Sequence, residues 1–369
     1  MRIGLGGLYL QSQGAGVSRC GIRVADALSR LEPSIDFYWH VQHGFEPPRE
    51  LLDRPNLRLV RESRIRTFLL TGGLLAKTRG YRAWIASAYD VFPFALVPQA
   101  AIVHDLFCLS HPEFFTDVHA RALTHQVNTT ARVCKVLFAN SRFTKEEVVR
   151  LQGRASDDVD VVYHGMGNVQ SPVDRAAVTP AQRAEWMIPE APYLLALSTL
   201  EPRKNMPRLV EAFARIASQR PHLHLALVGG RGWKEGPIFE AIQRTGLSDR
   251  VVLPGYVPDE AIPAWYACSE AFVMPSLQEG FGAPLLEAMA YGAPVVSSNA
   301  GSLPELAGEF AVYFEPEDVA GMSDAIERRL ATPFTPAERI AAQDHASAFT
   351  WERTAAGIMS GLRRRGIVP

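Results

Sequence analysis

The feature that most constrains the fold is a repeated alternation between short apolar runs and stretches with apolar residues at helical spacing. Two of the helical stretches carry such residues three or four positions apart, at Val24, Ala27, Leu28 and Leu31 and at Leu209, Ala212, Phe213 and Ile216. The apolar runs are predicted to be short buried strands at Val136–Ala139, Val159–Tyr163, Tyr193–Leu197, Leu223–Val228, Val251–Leu253, Ala271–Met274 and Pro294–Ser297. Strands that are apolar throughout and separated by helices indicate parallel sheets covered on both faces. We therefore expect an α/β protein.

Length and one polar interruption indicate two domains. At 369 residues the chain is long for a single domain, and residues 165–192 break the alternation with four prolines. We place the linker near residues 168–175, which gives two doubly wound α/β domains facing across a cleft. In such sheets ligands bind beyond the carboxyl ends of the strands, so the cleft is the expected site.

Charge and cysteine content exclude several classes of protein. The net charge of −1 argues against a nucleic-acid binder, although residues 1–170 carry 20 basic and 16 acidic residues, an excess that suits an anionic partner. The four cysteines show no C-x-x-C spacing, so neither a zinc ribbon nor a redox motif is indicated, and a reducing cytoplasm fits. The longest uncharged apolar stretch, residues 91–103, is shorter than the about 20 residues of a membrane span.

The densest chemical signal is the segment that follows the predicted strand Ala271–Met274. Gly280 and Gly282 let the backbone approach a ligand closely, and Pro284 suits the first turn of a helix. Such a loop and helix N-terminus present amide groups and a positive dipole end to a diphosphate. Glu279 and Glu287 add carboxylates that can accept hydrogen bonds from the vicinal hydroxyls of a sugar or ribose.

These residues resemble the E-x7-E signature of family 4 retaining glycosyltransferases, also called group 1, which have the GT-B fold. Further motifs follow in the family's order: His104-Asp105, Asn140-Ser141, Glu201-Pro202-Arg203-Lys204-Asn205, Leu227-Val228-Gly229-Gly230, Gly255-Tyr256-Val257, Ser302-Leu303-Pro304-Glu305 and Pro316-Glu317-Asp318. The resemblance implies an acceptor-side Rossmann-like domain over 1–170 and a nucleotide-sugar-binding one over 171–350. It also implies that the helical segment 351–369 returns to pack on the first domain.

The resemblance also implies roles for single residues. Glu287 matches the carboxylate that holds the ribose, and Glu279 the one that contacts the donor sugar. Phe281 and Gly282 match residues whose backbone amides lie near the donor sugar and phosphate, and Gly280 is expected to bind the donor beside them. Lys204 matches the cation on the diphosphate. Many members carry an additional arginine in a G-R-L triplet, where this chain has Ser198-Thr199-Leu200, so we assign that function to Arg203.

The remaining candidates come from the ends of other strands. Val257 resembles a residue whose backbone touches the base, and His104 resembles a histidine that contacts the donor sugar. Asn140 and Ser141 follow a strand in the same way, although Ser141 is equally suited to cap a helix over Arg142–Leu151. The glycine loop with Gly14 and Gly16 is expected beside the diphosphate.

Two other patterns are discounted. Asp158-Val159-Asp160 has the D-x-D spacing that binds a metal in another glycosyltransferase fold, but here it begins a predicted alternating strand and is expected to face solvent. The first glycine loop is a broken dinucleotide fingerprint, because Tyr9 stands at its third glycine position. No metal and no cofactor are predicted.

The predicted function is metal-independent, retaining transfer of a hexose from a nucleoside diphosphate sugar to a hydroxyl of a glycan or lipid-linked acceptor. The motif forms are most similar to those of bacterial α-mannosyltransferases of polysaccharide assembly, which favours GDP-mannose. UDP-glucose, another UDP-sugar, or a GT-B nucleotide-sugar epimerase remain as alternatives, as do a dinucleotide oxidoreductase and a non-catalytic nucleotide-sugar binder.

Residues 61–84 suggest contact with a membrane surface. Six basic residues (Arg61, Arg64, Arg66, Lys77, Arg79 and Arg82) stand here against one acidic residue and flank the apolar run Phe68–Leu75. Cations that flank apolar residues suit an anionic interface. The alternative is a surface hairpin whose apolar residues pack inward. We therefore expect a cytoplasmic protein that makes peripheral contact with the inner face of the cell membrane.

Overall fold

The computed structural model describes residues 1–8, 10, 16–63, 73–94, 96–166 and 173–369. The chain divides into two compact units. The first comprises Met1–Gly167 together with Phe349–Pro369, and the second comprises Asn168–Ala348. Each unit is built on its own parallel sheet.

The sheet of the first unit has seven strands in the described residues, in the order β3-β2-β1-β4-β5-β6-β7. Every pair is parallel. The strands are β1 (Arg2–Gly7), β2 (Asp36–Gln42), β3 (Leu57–Glu62), β4 (Ala83–Ala86), β5 (Gln99–Val103), β6 (Val136–Ala139) and β7 (Val159–Val161).

Over residues 173–348 the sheet of the second unit has six strands, again with all pairs parallel, in the order β10-β9-β8-β11-β12-β13. The strands are β8 (Tyr193–Leu197), β9 (His224–Val228), β10 (Val251–Gly255), β11 (Ala271–Met274), β12 (Val295–Ser298) and β13 (Ala311–Phe314). In both sheets the strand order reverses beside the first strand of the unit, the position at which doubly wound folds bind ligands.

Helices connect the strands. Those of the first unit with both ends in the described residues are α1 (Gly16–Leu31), α2 (Arg49–Leu52), α3 (Phe107–Ser110), α4 (Asp117–Val133) and α5 (Arg142–Gln152). Residues 73–78 are also helical. Those of the second are α6 (Pro180–Glu185), α7 (Met206–Ala217), α8 (Gly236–Thr245), α9 (Ile262–Cys268), α10 (Ala283–Ala290), α11 (Leu303–Ala307), α12 (Val319–Ala331) and α13 (Pro336–Ser347). None of the helices in the described ranges has the length and apolar character needed to cross a bilayer.

The last helix, α14 (Trp351–Arg364), belongs to the first unit and packs on α1. Its buried face contributes Ile358, Met359 and Leu362 to the core that also contains β1 and β2 side chains. Gly361 makes this approach possible, because a Cβ there would lie 2.6 Å from the Phe138 ring. The predicted return of the C-terminal helix to the first domain is confirmed.

The prediction for Asp160, the second aspartate of the D-x-D pattern, is wrong. We expected it to face solvent, but its side chain is only 17% exposed. One of its oxygens lies 2.7 Å from Nη1 of Arg365 and 2.9 Å from Nη2 of Arg364. The aspartate therefore anchors the end of α14 on β7.

Candidate donor site

The candidate site is built on two neighbouring strands of the second unit. Strands β8 and β11 pair in parallel, so the polar loops that follow them emerge at the same edge of the sheet. After β8 the chain forms a 3-10 turn, Pro202–Lys204. After β11 it forms the loop that carries Glu279 and leads into α10. Residues about 75 positions apart in sequence thus meet.

Glu279 is the centre of this arrangement. It is 5% exposed. Its Oε2 accepts a hydrogen bond from Nη1 of Arg203 at 2.6 Å, and its Oε1 accepts from Nζ of Lys204 at 2.6 Å. The hydroxyl of Ser276 donates to the same Oε1 at 2.8 Å. Arg203 also donates to Glu201 at 2.7 Å. Two half-buried cations and two buried carboxylates therefore form one network.

This network sets the protonation of Glu279. Burial opposes its ionisation, but the cations of Arg203 and Lys204 and the hydroxyl of Ser276 outweigh burial and lower its pKa to about 2. Burial and the neighbouring Arg203 lower the pKa of Lys204, against the attraction of Glu279 and Glu201. We take Glu279 as ionised at neutral pH, where it accepts hydrogen bonds and does not donate them.

Backbone hydrogen bonds tie the two loops together. The amide of Leu277 donates to the carbonyl of Arg203 at 2.8 Å. The side-chain amide of Asn205 donates to the carbonyl of Pro275 at 2.9 Å. Asn205 has a φ of +58°, a left-handed conformation that asparagine tolerates better than most residues. The segment with both cations is thus fixed relative to Glu279.

A third loop, residues 301–302, contacts the backbone of Glu279. Gly301 has a φ of +58°, and a Cβ at this position would lie 2.3 Å from the carbonyl oxygen of Glu279. The amide of Ser302 donates to that same oxygen at 3.0 Å. The Ser302 hydroxyl donates to the carbonyl of Phe281 at 2.6 Å. The backbone on both sides of Gly280 is therefore held by residues 301–302.

Gly282 is the N-cap residue of α10. It has a φ of +100°, and a Cβ there would lie 2.6 Å from a side-chain atom of Leu303. Gly280, Phe281 and Gly282 are buried. They lead directly into α10, and the amides of a helix's first turn have no acceptor within the helix. This geometry suits an anion close to the backbone.

Glu287 lies one turn further along α10 and is half-buried. The hydroxyl of Tyr266 is 3.2 Å from its Oε2 and 3.2 Å from the carbonyl of Pro284. Tyr266 itself stacks on Tyr291, with ring centroids 5.7 Å apart. The carboxylate is therefore oriented by a packed aromatic pair.

Val257 follows β10, two strands away from β8 in the sheet. Its side chain is buried, whereas the neighbouring Tyr256 is 61% exposed. The carbonyl of Gly255 accepts from the amide of Gly229 at 2.9 Å, which joins this strand end to the loop after β9. A contact to a ligand from Val257 would therefore come from its backbone.

The candidates of the first unit lie at the ends of β5 and β6. The side-chain amide of Asn140 donates to the carbonyl of His104 at 2.9 Å, and Nε2 of His104 donates to the carbonyl of Ser87 at 2.8 Å. Burial lowers the pKa of His104 despite that hydrogen bond and the nearby Asp105.

Ser141 and Gly16 are described by the structure, whereas Gly14 is not. The hydroxyl of Ser141 accepts from the amide of Thr144 at 3.0 Å, so it caps α5 as the alternative interpretation expected. Gly16 is the first residue of α1 and has open space where a side chain would begin. Gly14 lies outside the described residues, as does the stretch 64–72 of the basic segment.

Several residues of this geometry were not predicted as site residues. The Glu279 loop is held by Ser276, Asn205, Gly301 and Ser302. These residues lie inside or beside the motifs, and that position is the sequence feature that could have predicted their role. The first unit also brings Cys20 and His164 close to His104, which no spacing in the sequence indicated.

Comparisons with known proteins agree with the motifs. Residues 178–344 match the family model described as "Glycosyl transferases group 1". O-antigen chain mannosyltransferase B of Escherichia coli is 30% identical over 254 residues, which cover 68% of this chain and 66% of that protein. The GDP-mannose-dependent alpha-(1-6)-phosphatidylinositol monomannoside mannosyltransferase of Mycolicibacterium smegmatis is 32% identical over 212 residues, 52% of this chain and 54% of that protein. The chain thus spans about half to two thirds of these relatives.

Among solved structures, sucrose-phosphate synthase (tll1590) from Thermosynechococcus elongatus matches with a TM-score of 0.76. The match covers 99% of this chain and 98% of that one at 21% identity. At 21% identity this similarity is evidence of a shared fold alone.

Proposed function

The chain belongs to the group 1 glycosyltransferases and has their GT-B fold, and from that premise we propose that it moves a hexose from a nucleoside diphosphate sugar to a hydroxyl of a glycan or lipid-linked acceptor. The proposal includes retention of the anomeric configuration and independence from a metal ion. The observation that carries it is the buried carboxylate of Glu279 held between Arg203 and Lys204.

The charge pattern fits the chemistry of the departing nucleotide. When the glycosidic bond to the donor breaks, negative charge grows on the diphosphate, and preorganised cations stabilise that charge. Arg203 and Lys204 can take this role because both are already held at the sheet edge by Glu279 and Glu201. A bound diphosphate would share these cations and leave the oxygens of Glu279 to accept hydrogen bonds from sugar hydroxyls.

The rest of the site provides the remaining contacts of a nucleotide sugar. The amides at Phe281 and Gly282 suit a phosphate oxygen. Glu287, oriented by Tyr266, suits the vicinal hydroxyls of the ribose. The backbone at Val257 is assigned to the base. His104, neutral near pH 7, is assigned to the donor sugar, and Asn140 holds its backbone. The proposal also retains the assignments that the resemblance implies for Gly14 and Gly16, beside the diphosphate, and for Ser141 as a donor-binding residue.

We propose GDP-mannose as the donor. The M. smegmatis relative is described as GDP-mannose-dependent and the E. coli relative as a mannosyltransferase. The motif forms of this chain favour the same sugar. Because the base is assigned to backbone contacts, UDP-glucose or another UDP-sugar is the main competing donor.

Nucleotide binding should distinguish these donors in a melting experiment. At about 100 times its Kd, a ligand that binds only the folded chain adds roughly 2.7 kcal/mol of stability. This should raise the Tm by a few degrees. We expect a shift with GDP and none with UDP, ADP or NAD at equal concentration. A shift with UDP alone would replace the donor and keep the enzyme class, whereas a shift with NAD alone would overturn the proposed function. Retention would then be read from the anomeric proton of the product by NMR.

Peripheral membrane contact is the proposed route to a lipid-linked acceptor. In the described part of segment 61–84, Leu74 is 57% exposed, and the exposed Lys77 lies on the next turn. The carbonyl oxygen of Phe94 lies against Gly73, and the Phe94 side chain is 70% exposed. Exposed apolar side chains beside cations match an anionic lipid surface. The corresponding proposed location is the cytoplasm, at the inner face of the membrane.

Co-sedimentation with vesicles tests this contact. The full chain should sediment with phosphatidylglycerol-containing vesicles at low salt, and Phe94→Ser should weaken binding several-fold because an apolar anchor is lost. Val118→Ser is the matched control, since Val118 is 74% exposed on α4 of the same unit. Equal loss in both variants, or no binding of the unaltered chain, would contradict the proposal.

A further inference from the structure

Three side chains with metal-binding atoms converge in the first unit. Cys20 comes from α1, His104 follows β5, and His164 follows β7. One ligand atom of each lies within 4.8 Å of the other two. Cys20 and His164 are buried and His104 is half-buried. We propose that Cys20, His104 and His164 bind a thiophilic divalent cation of the Zn²⁺ class.

The distances fit a tetrahedral ion with little rearrangement. Zinc binds cysteine sulfur at about 2.3 Å and histidine nitrogen at about 2.0–2.1 Å, so a tetrahedral angle places the two ligand atoms about 3.6 Å apart. Sγ of Cys20 and Nε2 of His164 are 3.6 Å apart. The other separations are at most 4.8 Å and would close by about 1 Å around an ion.

Hydrogen bonding and packing fix the positions of both imidazole rings. Nε2 of His104 donates to the Ser87 carbonyl at 2.8 Å, which leaves the lone pair on Nδ1. Metal-binding histidines commonly make such an outward hydrogen bond to a backbone carbonyl. The ring of His164 stacks on Trp351 of α14 with centroids 5.7 Å apart, and it meets the His104 ring edge-to-face at 5.1 Å. Both rings are therefore held near the thiol.

The ligand chemistry selects the class of ion. One thiolate and two imidazoles suit zinc and related ions, whereas magnesium and calcium prefer oxygen ligands. Burial lowers the pKa of His164, helped by His104, so its nitrogen is unprotonated near pH 7. Burial raises the pKa of the Cys20 thiol, so binding would release its proton to solvent. Three protein ligands leave one position for water. A bound ion would occupy the His104 ring that the proposed function assigns to the donor sugar, so the ion and the sugar contact would exclude each other at this residue. The proposed sugar transfer needs no ion, and metal binding is tested here without turnover.

Cobalt substitution tests the site directly. The full chain, stripped with EDTA, is titrated with Co²⁺. We expect one equivalent to give a thiolate-to-cobalt charge-transfer band together with the intense visible bands of tetrahedral coordination. Zn²⁺ should remove both, and millimolar Mg²⁺ should not. Absence of the charge-transfer band in the unaltered chain would overturn the proposal.

Two variants locate the binding. Cys20→Ala should abolish the charge-transfer band, and Cys134→Ala is the matched control, since both thiols are 2% exposed in the same unit. His164→Gln keeps the thiol and should weaken Co²⁺ binding at least tenfold, which keeps the test decisive if Cys20→Ala does not fold. A band that survives in Cys20→Ala, or is lost equally in Cys134→Ala, would refute the assignment.

Discussion

Replacing Glu279 with glutamine is expected to lower turnover of the donor by about 10²-fold or more while leaving nucleotide binding intact. The loss has the size seen when one preorganised polar contact to a transition state is removed. Glutamine has the shape of glutamate, but it carries no charge and places an NH₂ group where one oxygen stood. It can no longer accept from both Arg203 and Lys204, so these cations remain available to the diphosphate.

The measurement separates binding from chemistry. Release of GDP from GDP-mannose, with water as acceptor, reports turnover, and calorimetric titration with GDP reports binding. Glu201→Gln is the matched control, because Glu201 also pairs with Arg203 and is 8% exposed. That variant should lose less than tenfold. Turnover of Glu279→Gln within threefold of the unaltered chain would refute the assigned role, whereas loss of GDP binding would indicate a collapsed loop.

Replacing Gly301 with alanine is expected to have the next largest effect, on both stability and turnover. A Cβ at this position would lie 2.3 Å from the carbonyl oxygen of Glu279, in a left-handed backbone conformation with φ +58°. The conformation alone costs about 1–2 kcal/mol for a residue with a Cβ. The clash adds to that cost and must shift the Glu279 loop. Because a displacement of about 1 Å can cost 10²-fold in rate, we expect turnover to fall at least tenfold.

Gly246→Ala separates the clash from the backbone strain. Gly246 has a φ of +68°, close to that of Gly301, but nothing lies within 4 Å of a Cβ there. It ends α8 and should lose only the conformational cost, with turnover unchanged. Unfolding in urea and GDP release from GDP-mannose are measured on both variants. Equal stability and equal turnover of the two would show that Gly301 does not position the Glu279 loop.

How well the sequence predicted the fold depended on how deeply each strand is buried. The runs Val136–Ala139, Tyr193–Leu197 and Ala271–Met274 are strands with the predicted bounds, because they are apolar throughout in the middle of sheets. By contrast, β3 (Leu57–Glu62) lies at a sheet edge and alternates with charged residues. The apolar-run criterion does not mark such a strand, since only one of its faces is covered.

For the candidate site, the sequence predicted the residues but not the contacts between them. Glu279, Arg203 and Lys204 were identified from motifs, and a motif gives residue types and spacing along the chain. Their mutual pairing depends on β8 lying beside β11, which is a property of the sheet order. The need for glycine at 301 depends on a backbone approach from another loop. The meeting of Cys20 with His164 spans 144 positions and no local pattern reports it.

The return of α14 to the first unit has a consequence for biosynthesis. The first unit's core includes Ala355, Ile358, Met359 and Leu362, which are translated after every residue of the second unit. Domains that form from a continuous stretch can fold in order as they leave the ribosome. Here the parallel sheet of the first unit emerges first, yet its α1 side stays uncovered until residues 349–369 have left the ribosome, by which time the second unit has emerged. We therefore expect the later-translated unit to reach its native core first on the ribosome, with the earlier one most exposed to chaperones and aggregation in the interval.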